Sequence, residues 1–118
     1  MIQVNKELLL KDLCARLPYG VKIQVPYEDG SGYFDETVWE VNNEGPFHVN
    51  GWGIEYEYVK PYLFPLSSIT KKTLEELSAY IDIKNAYVAV EFFNSHHIDY
   101  RGLIEKGLAI DATGLNIY

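Results

Sequence analysis

The chain has 118 residues, 47% of them hydrophobic and 23% charged, with a formal net charge of −7. That size and balance suit a single globular domain, 1–118, which can bury a core without disulfides or a metal. The negative charge opposes direct binding to nucleic acid through phosphate neutralisation, and it opposes docking on an anionic membrane.

Residues 6–16 carry an amphipathic helix pattern. Asn5 is placed to cap it, and Glu7 falls in the first turn, where the helix dipole favours a carboxylate. Leu10, Leu13, Cys14 and Leu17 recur at i, i+3, i+4 and i+7, so they share one face. Cys14, the single cysteine, reads on this pattern as a small buried residue, and one cysteine forms no intramolecular disulfide. A reducing, cytoplasmic setting follows as the expectation. Lys11 and Asp12 interrupt the Leu8-Leu9-Leu10 run, no secretory leader is recognised, and no stretch reaches the roughly 20 apolar residues of a membrane span. Pro18 and Gly20 stop the helix.

Residues 21–27 alternate, with Val21, Ile23 and Val25 on one side and Lys22 and Gln24 on the other, which is a half-buried strand ending at Pro26. A turn is expected at 28–32, a second strand at 36–42 around Val38, Trp39 and Val41, and a turn at 42–46. Phe47 to Val49 reads as a short extended piece, Asn50-Gly51 as a hairpin turn, and 53–59 as a strand with Ile54, Tyr56 and Tyr58 on one face. These short intervals predict an antiparallel sheet of three to four strands. A small, strongly bent barrel is the alternative.

Pro61 and Pro65 bracket Tyr62-Leu63-Phe64, which reads as an extended connector. Thr70 fits the cap of a second helix at about 71–82, with Leu74, Leu77 and Ile81 on one face. Residues 86–95 fit both periods. Helix is preferred, because Asn85 can cap it and no turn residue interrupts it. Asp99 is placed to cap a short helical turn through Leu103, and the segment from Gly107 to Tyr118 reads as extended. The fold expected is α+β: an N-terminal helix, a small antiparallel sheet, and two C-terminal helices plus a short turn packed on one face of it. Leu10, Leu13, Leu17, Ile23, Val25, Leu74, Leu77, Ile81 and Phe93 are the expected core.

Three stretches, LLLKDLCARLPYG at 8–20, KPYLFPLSSIT at 60–70 and NSHHIDYRGLIEKGLAI at 94–110, resemble a group of small uncharacterised proteins encoded by gut anaerobic bacteria, often near phage-derived or mobile elements. The resemblance implies a bacterial cytoplasmic or phage-related setting and a helix ahead of the His96-His97 pair. It carries no activity, and the middle of this chain departs from the group in being more acidic and more aromatic.

Charge is unevenly placed. From Ile23 to Val59 there is no Lys or Arg, while that window holds Glu28, Asp29, Asp35, Glu36, Glu40, Glu44, Glu55 and Glu57. It also holds Tyr27, Tyr33, Phe34, Trp39, Phe47, Trp52, Tyr56 and Tyr58. Carboxylates interleaved with large rings make a face for a basic protein partner, because guanidinium groups pair with carboxylates and stack on aromatics. The residues expected to carry binding are Tyr33, Glu36, Trp39, Glu40, Trp52, Glu55 and Glu57. The plainer reading is that half the rings are core and the acids are ordinary solvation of a sheet. A third version is an inhibitor whose carboxylates imitate nucleic-acid phosphates.

His96, His97 and Asp99 form the one stretch with catalytic chemistry, as metal ligands or as a histidine base oriented by Asp99 in a small hydrolase. Neighbouring helical residues point about 100° apart, so the two histidines do not share one ion easily. The plainer reading packs His97 at a helix C-terminus, with Asp99 as the next cap and Arg101 as its surface partner. No metal and no cofactor is called for, and a homo-oligomer stays open. No pair of the 17 acids stands out for glycoside chemistry, and Asp29-Gly30-Ser31-Gly32 lacks the ligand spacing of a calcium loop. The favoured expectation is therefore a non-enzymatic binding or adaptor protein.

Overall fold

The computed structural model describes residues 3–27, 29–38, 40–41, 46–47, 58–68, 75 and 86–118. Helix α1 spans Gln3–Arg16 and passes into a short 3-10 turn, Leu17–Tyr19. Pro18 sits at the start of that turn, and Gly20 ends it in the left-handed conformation (φ 69°), as the Pro-Gly pair predicts. The buried face of α1 differs from the expected one. Leu9, Asp12, Leu13 and Arg16 are buried, Leu10 and Leu17 are half-buried, and Cys14 is exposed. Asp12 and Arg16 neutralise each other on the inner face, so hydrophobicity alone placed that face too far round the helix.

Strand β1, Lys22–Pro26, alternates as expected: Val21, Ile23 and Val25 are buried, Lys22 and Gln24 half-buried. The hairpin that follows is closed by Tyr27 N–H donating to Gly32 O (2.9 Å) and Gly30 N–H to Tyr27 O (3.1 Å). Gly30 takes φ 75° there, which its missing Cβ allows. This turn sets Tyr33 opposite Pro26, so β2 is Tyr33–Thr37 and starts three residues before the strand expected at 36–42. The rest of that expected strand becomes β3, Glu40–Val41, which pairs with β4, Pro46–Phe47, in a separate two-stranded antiparallel sheet. The Asn50-Gly51 turn and the 53–59 strand lie outside the described residues, apart from Tyr58 and Val59. So does the 71–82 helix, apart from Glu75.

Residues 60–65 are not a connector. They are β5, Lys60–Pro65, the strand that β1, β6 and β7 of the main sheet all pair with. Its two prolines sit at the second and last positions, where a ladder loses least by lacking an N–H. β5 pairs antiparallel with β1 and parallel with both β6, Ile98–Asp99, and β7, Ile110–Asp111. The sheet is therefore mixed, not purely antiparallel. The link from β5 to β6 contains helix α2, Ala86–Ser95, and a crossover of that kind returns the chain in the same direction. Phe64 N–H donates to His97 O (2.8 Å) while Leu63 O accepts from Ala112 N–H (2.8 Å). Successive residues of a strand present these groups to opposite edges, so β6 and β7 flank β5 on opposite sides.

The α+β class with its leading helix stands. The core gathers Leu9 and Leu13 of α1, Val21, Ile23, Val25, Val38, Val59 and Leu63 from the sheet region, and Leu103, Leu108 and Ala109 from the turns before β7. A second cluster joins Phe92 and Ile98, with Phe93 packed against it. Among the described residues no helix is long and apolar enough to cross a membrane. Leu63, with no exposed surface at the centre of β5, is the most informative residue to truncate. Leu63→Ala is expected to cost about 2–5 kcal/mol, read as a lowered urea midpoint with an unchanged slope.

Candidate functional site

The His96–Asp99 stretch sits where α2 gives way to β6. His96 N–H closes the helix on Phe92 O (3.1 Å), and His97 N–H reaches Asn94 O (3.2 Å). His97 then turns the chain into β6 with φ 56°, a left-handed conformation uncommon outside glycine. The three candidate side chains have separate partners. His96 is exposed, stacks on Phe92 (centroids 4.2 Å apart) and sets Nδ1 3.0 Å from Phe92 O. His97 is buried with its ring parallel to Tyr118 at 3.8 Å. Asp99 is buried and accepts from Leu103 N–H and Ile104 N–H, both at 2.9 Å, so it caps the following turn as its sequence position predicts. Among the described residues no group of three or more His, Cys, Asp or Glu is placed to hold a metal.

The stretch is tied instead to α1 by two arginines. Arg16 has no exposed surface. Its Nε donates to Asp12 Oδ2 (2.8 Å), its Nη2 to Ile98 O (2.5 Å) and its Nη1 to Phe93 O (3.4 Å). Asp12, equally buried, accepts a second charge-assisted bond on Oδ1 from Arg101 Nη1 (2.7 Å). Both guanidinium groups lie over the Tyr100 ring, Arg101 at 4.5 Å and Arg16 at 5.4 Å, and the Tyr100 hydroxyl donates to Asn94 Oδ1 (3.0 Å). Arg101 therefore pairs with buried Asp12, not with Asp99 at the surface. The i, i+4 spacing of Asp12 and Arg16, flanked by Leu9 and Leu13, was the sequence signal for this network.

A second arrangement was not legible in the sequence. The β1–β5 register, continued by one residue, places Lys22 opposite Tyr62. Their backbones are joined there through a side chain: Lys22 N–H donates to the Tyr118 hydroxyl (2.9 Å), which donates to Tyr62 O (2.7 Å). Lys22 Nζ also holds Ile117 O (2.8 Å). The Tyr62 hydroxyl donates to Asp35 and receives Gln24 Nε2 (3.3 Å). Burial raises the Tyr118 phenol to about 12, and burial with the Asp35 carboxylate raises Tyr62 equally. Both therefore remain donors at neutral pH. His97, beneath the Tyr118 ring, is held down to about 4 by burial first, then by the charges of Arg16, His96 and Lys22. Its Nδ1 has no hydrogen-bond partner among the described residues.

Of the residues expected to bind a partner, Tyr33 is 64% exposed at the start of edge strand β2. Glu36 is half-buried and, by the pleat, on the opposite face from Tyr33 and Asp35. It sits level with buried Ile23. Glu40 lies in β3, and Trp39, Trp52, Glu55 and Glu57 are outside the described residues. Tyr27 and Tyr58 are also exposed, at 48% and 57%. Tyr27 follows Pro26, the register partner of Tyr33, and Tyr58 precedes by two the Lys60 that faces Gln24. Tyr27, Tyr33 and Tyr58 thus lie toward one end of β1, β2 and β5, Tyr27 packed on Phe34 (5.1 Å between ring centroids) and so on the face opposite Tyr33, while Tyr118 is also exposed, at 42%. Lys22 and Lys60 flank Asp35 on the same face, so the window without bases in sequence has bases beside it in space. No protein family, no curated protein and no solved structure matches this chain.

Removing Asp12 strands a buried guanidinium, so Asp12→Ala should cost about 3–5 kcal/mol. The pair Asp12→Leu with Arg16→Met should cost clearly less than the sum of its single changes in a double-mutant cycle. His97 gives a pH dependence. Its folded-state value lies below the ordinary 6.5, so stability is fully present above pH 6.5 and falls as the pH drops from 6.5 to 4, where only the unfolded chain takes the proton. The loss should approach about 3 kcal/mol. His97→Asn, which tolerates the left-handed backbone, should flatten that part of the stability profile in urea titrations.

Proposed function

We propose that the protein is a non-enzymatic binding module whose contact surface is the tyrosine-bearing end of the main sheet, and whose partner is a protein with a basic surface. The observation that carries this reading is the exposure of Tyr33 and Tyr58 toward one end of the main sheet, with Tyr27, packed on Phe34, just beyond the same end of β1. A phenol ring supplies large contact area at little conformational cost and pairs well with arginine. Asp35 is exposed beside them, and Glu55 and Glu57 belong to the segment leading into Tyr58. The resemblance in sequence makes a bacterial or phage-derived system the natural source of the partner and the cytoplasm the expected compartment.

The other readings have less support. Asp99 is committed to two backbone amides and His97 to a tyrosine ring, which leaves a hydrolase centred on His96, His97 and Asp99 without a shared target. Imitation of nucleic acid needs an unbroken field of carboxylates, whereas Lys22 and Lys60 share the sheet face of Asp35.

The test is capture from a bacterial lysate with the protein and two variants, Tyr33→Ala with Tyr58→Ala, and Glu55→Lys with Glu57→Lys. Loss of the aromatic pair should weaken the captured partner by about 2 kcal/mol or more. The charge reversal should weaken it further, and rising salt should do the same. A partner held equally by all three proteins would overturn this surface as the site.

A further inference from the structure

The Tyr118 side chain is bound as a ligand is bound. Its hydroxyl makes both of its hydrogen bonds to main-chain groups of two strands, Lys22 N–H and Tyr62 O. One face of its ring covers the buried imidazole of His97, and Phe64 lies 6.0 Å away at 52°. The peptide group ahead of it is held by Lys22 Nζ on Ile117 O. These contacts read the hydroxyl, the ring and the carbonyl of the preceding residue. They converge on a notch at one edge of β5, where β1 stops at the level of Tyr62 and β6 begins at Phe64.

The segment that delivers Tyr118 has a different character. Thr113, Gly114, Leu115 and Asn116 are all exposed, and Gly114 (φ 77°) and Asn116 (φ 54°) both take the left-handed conformation. The segment's hydrogen bonds before the Lys22–Ile117 bond are local ones, Thr113 N–H to Asp111 Oδ1 (2.9 Å) and Leu115 N–H to Ala112 O (3.1 Å). The tether therefore contributes little burial of its own, and segments with few buried contacts open most readily. The notch also keeps an unused polar atom, His97 Nδ1, on a side chain that is 7% exposed.

We propose that the notch between β1 and β6 is a tyrosine-binding site, which Tyr118 fills as a displaceable internal ligand, and that a peptide presenting a tyrosine side chain competes for it. The hydroxyl is the selective element. Without it, Lys22 N–H and the part-buried Tyr62 O lose the bridge between them, and main-chain groups left without that partner favour a ligand that carries the matching hydroxyl. The tether sets the competition, since a tethered group acts at an effective concentration of about millimolar.

The experiment titrates the full-length protein with N-acetyl-tyrosinamide and, separately, N-acetyl-phenylalaninamide, reading the His97 ring protons by NMR. In Tyr118→Ala the tyrosine amide should bind about tenfold or more tightly than the phenylalanine amide. In the parent protein it should bind more weakly than in the variant, because Tyr118 competes. Equal binding of the two amides to a folded Tyr118→Ala, or no binding, overturns the proposal. Should that variant fail to fold, Tyr118→Phe keeps the stacked ring and removes only the bridge. The tyrosine amide should then displace Phe at a lower concentration than it displaces Tyr118 in the parent. Equal concentrations, or a Phe variant that also fails to fold, would make Tyr118 a fixed part of the sheet and not a ligand.

Discussion

Arg16 carries a full charge into a place with no water, and the rest of the architecture is arranged around satisfying it. A buried guanidinium without partners costs several kcal/mol, so its donors must meet acceptors with good geometry. Asp12, one turn earlier on α1, supplies the countercharge. Ile98 O of β6 and Phe93 O in the last turn of α2 supply the neutral acceptors. Those carbonyls are not interchangeable. The last carbonyls of a helix lack partners within it, and the negative end of its dipole favours a cation there. One side chain thus fixes the position of α1 against the end of α2 and the start of β6. Arg101 then completes the second oxygen of Asp12, which brings the turn after β6 to the same point.

That constraint explains the residues that first looked catalytic. A chain leaving α2 must reverse into β6 within a few residues so that Ile98 O can face Arg16. His97 makes the reversal with a left-handed backbone, and Asp99 holds the next turn by two amide hydrogen bonds. The compact cluster of imidazoles and carboxylate is a consequence of tight chain reversal beside a buried arginine. His97 and Asp99 are packed because the turn is packed, while His96 stays exposed.

What was legible in the sequence follows the range of the forces involved. The alternation of Val21, Ile23 and Val25, the Pro18-Gly20 stop, the helix at 86–95 and the Asp99 cap are all set by interactions within a few residues, and each appears where the pattern puts it. β5 was missed because two prolines outweighed three strand-forming residues in a local reading, while its pairing is decided by β1, β6 and β7, all distant in sequence. Leu103, Leu108 and Ala109 enter the core from turns, where no period announces them. The α1 face differs from the pattern because a self-neutralising Asp12–Arg16 pair counts as polar in any hydropathy pattern, although it is as deeply buried as Leu9 and Leu13. The placement of the residues expected to bind follows the same rule. Tyr33 stands at the exposed end of an edge strand, but the pleat separates it from Glu36, and that separation depends on where β2 begins.

The same dependence on pairing changes the meaning of the charge. Along the chain the acids of residues 23–59 stand without a base, yet β1 and β5 each place a lysine just outside that window and the sheet folds both back alongside Asp35. Lys22 is then drawn further, with its N–H on the Tyr118 hydroxyl and its ammonium on Ile117 O. Lys22 is engaged with a carbonyl, so it serves to seat an aromatic side chain while Asp35 is taken up by the Tyr62 hydroxyl. Charge asymmetry and tyrosine seating are thus two aspects of one surface. The strand edge that would otherwise leave Lys22 N–H and Tyr62 O unpaired is closed by a phenol, and the surface left open nearby is again made of phenols and carboxylates.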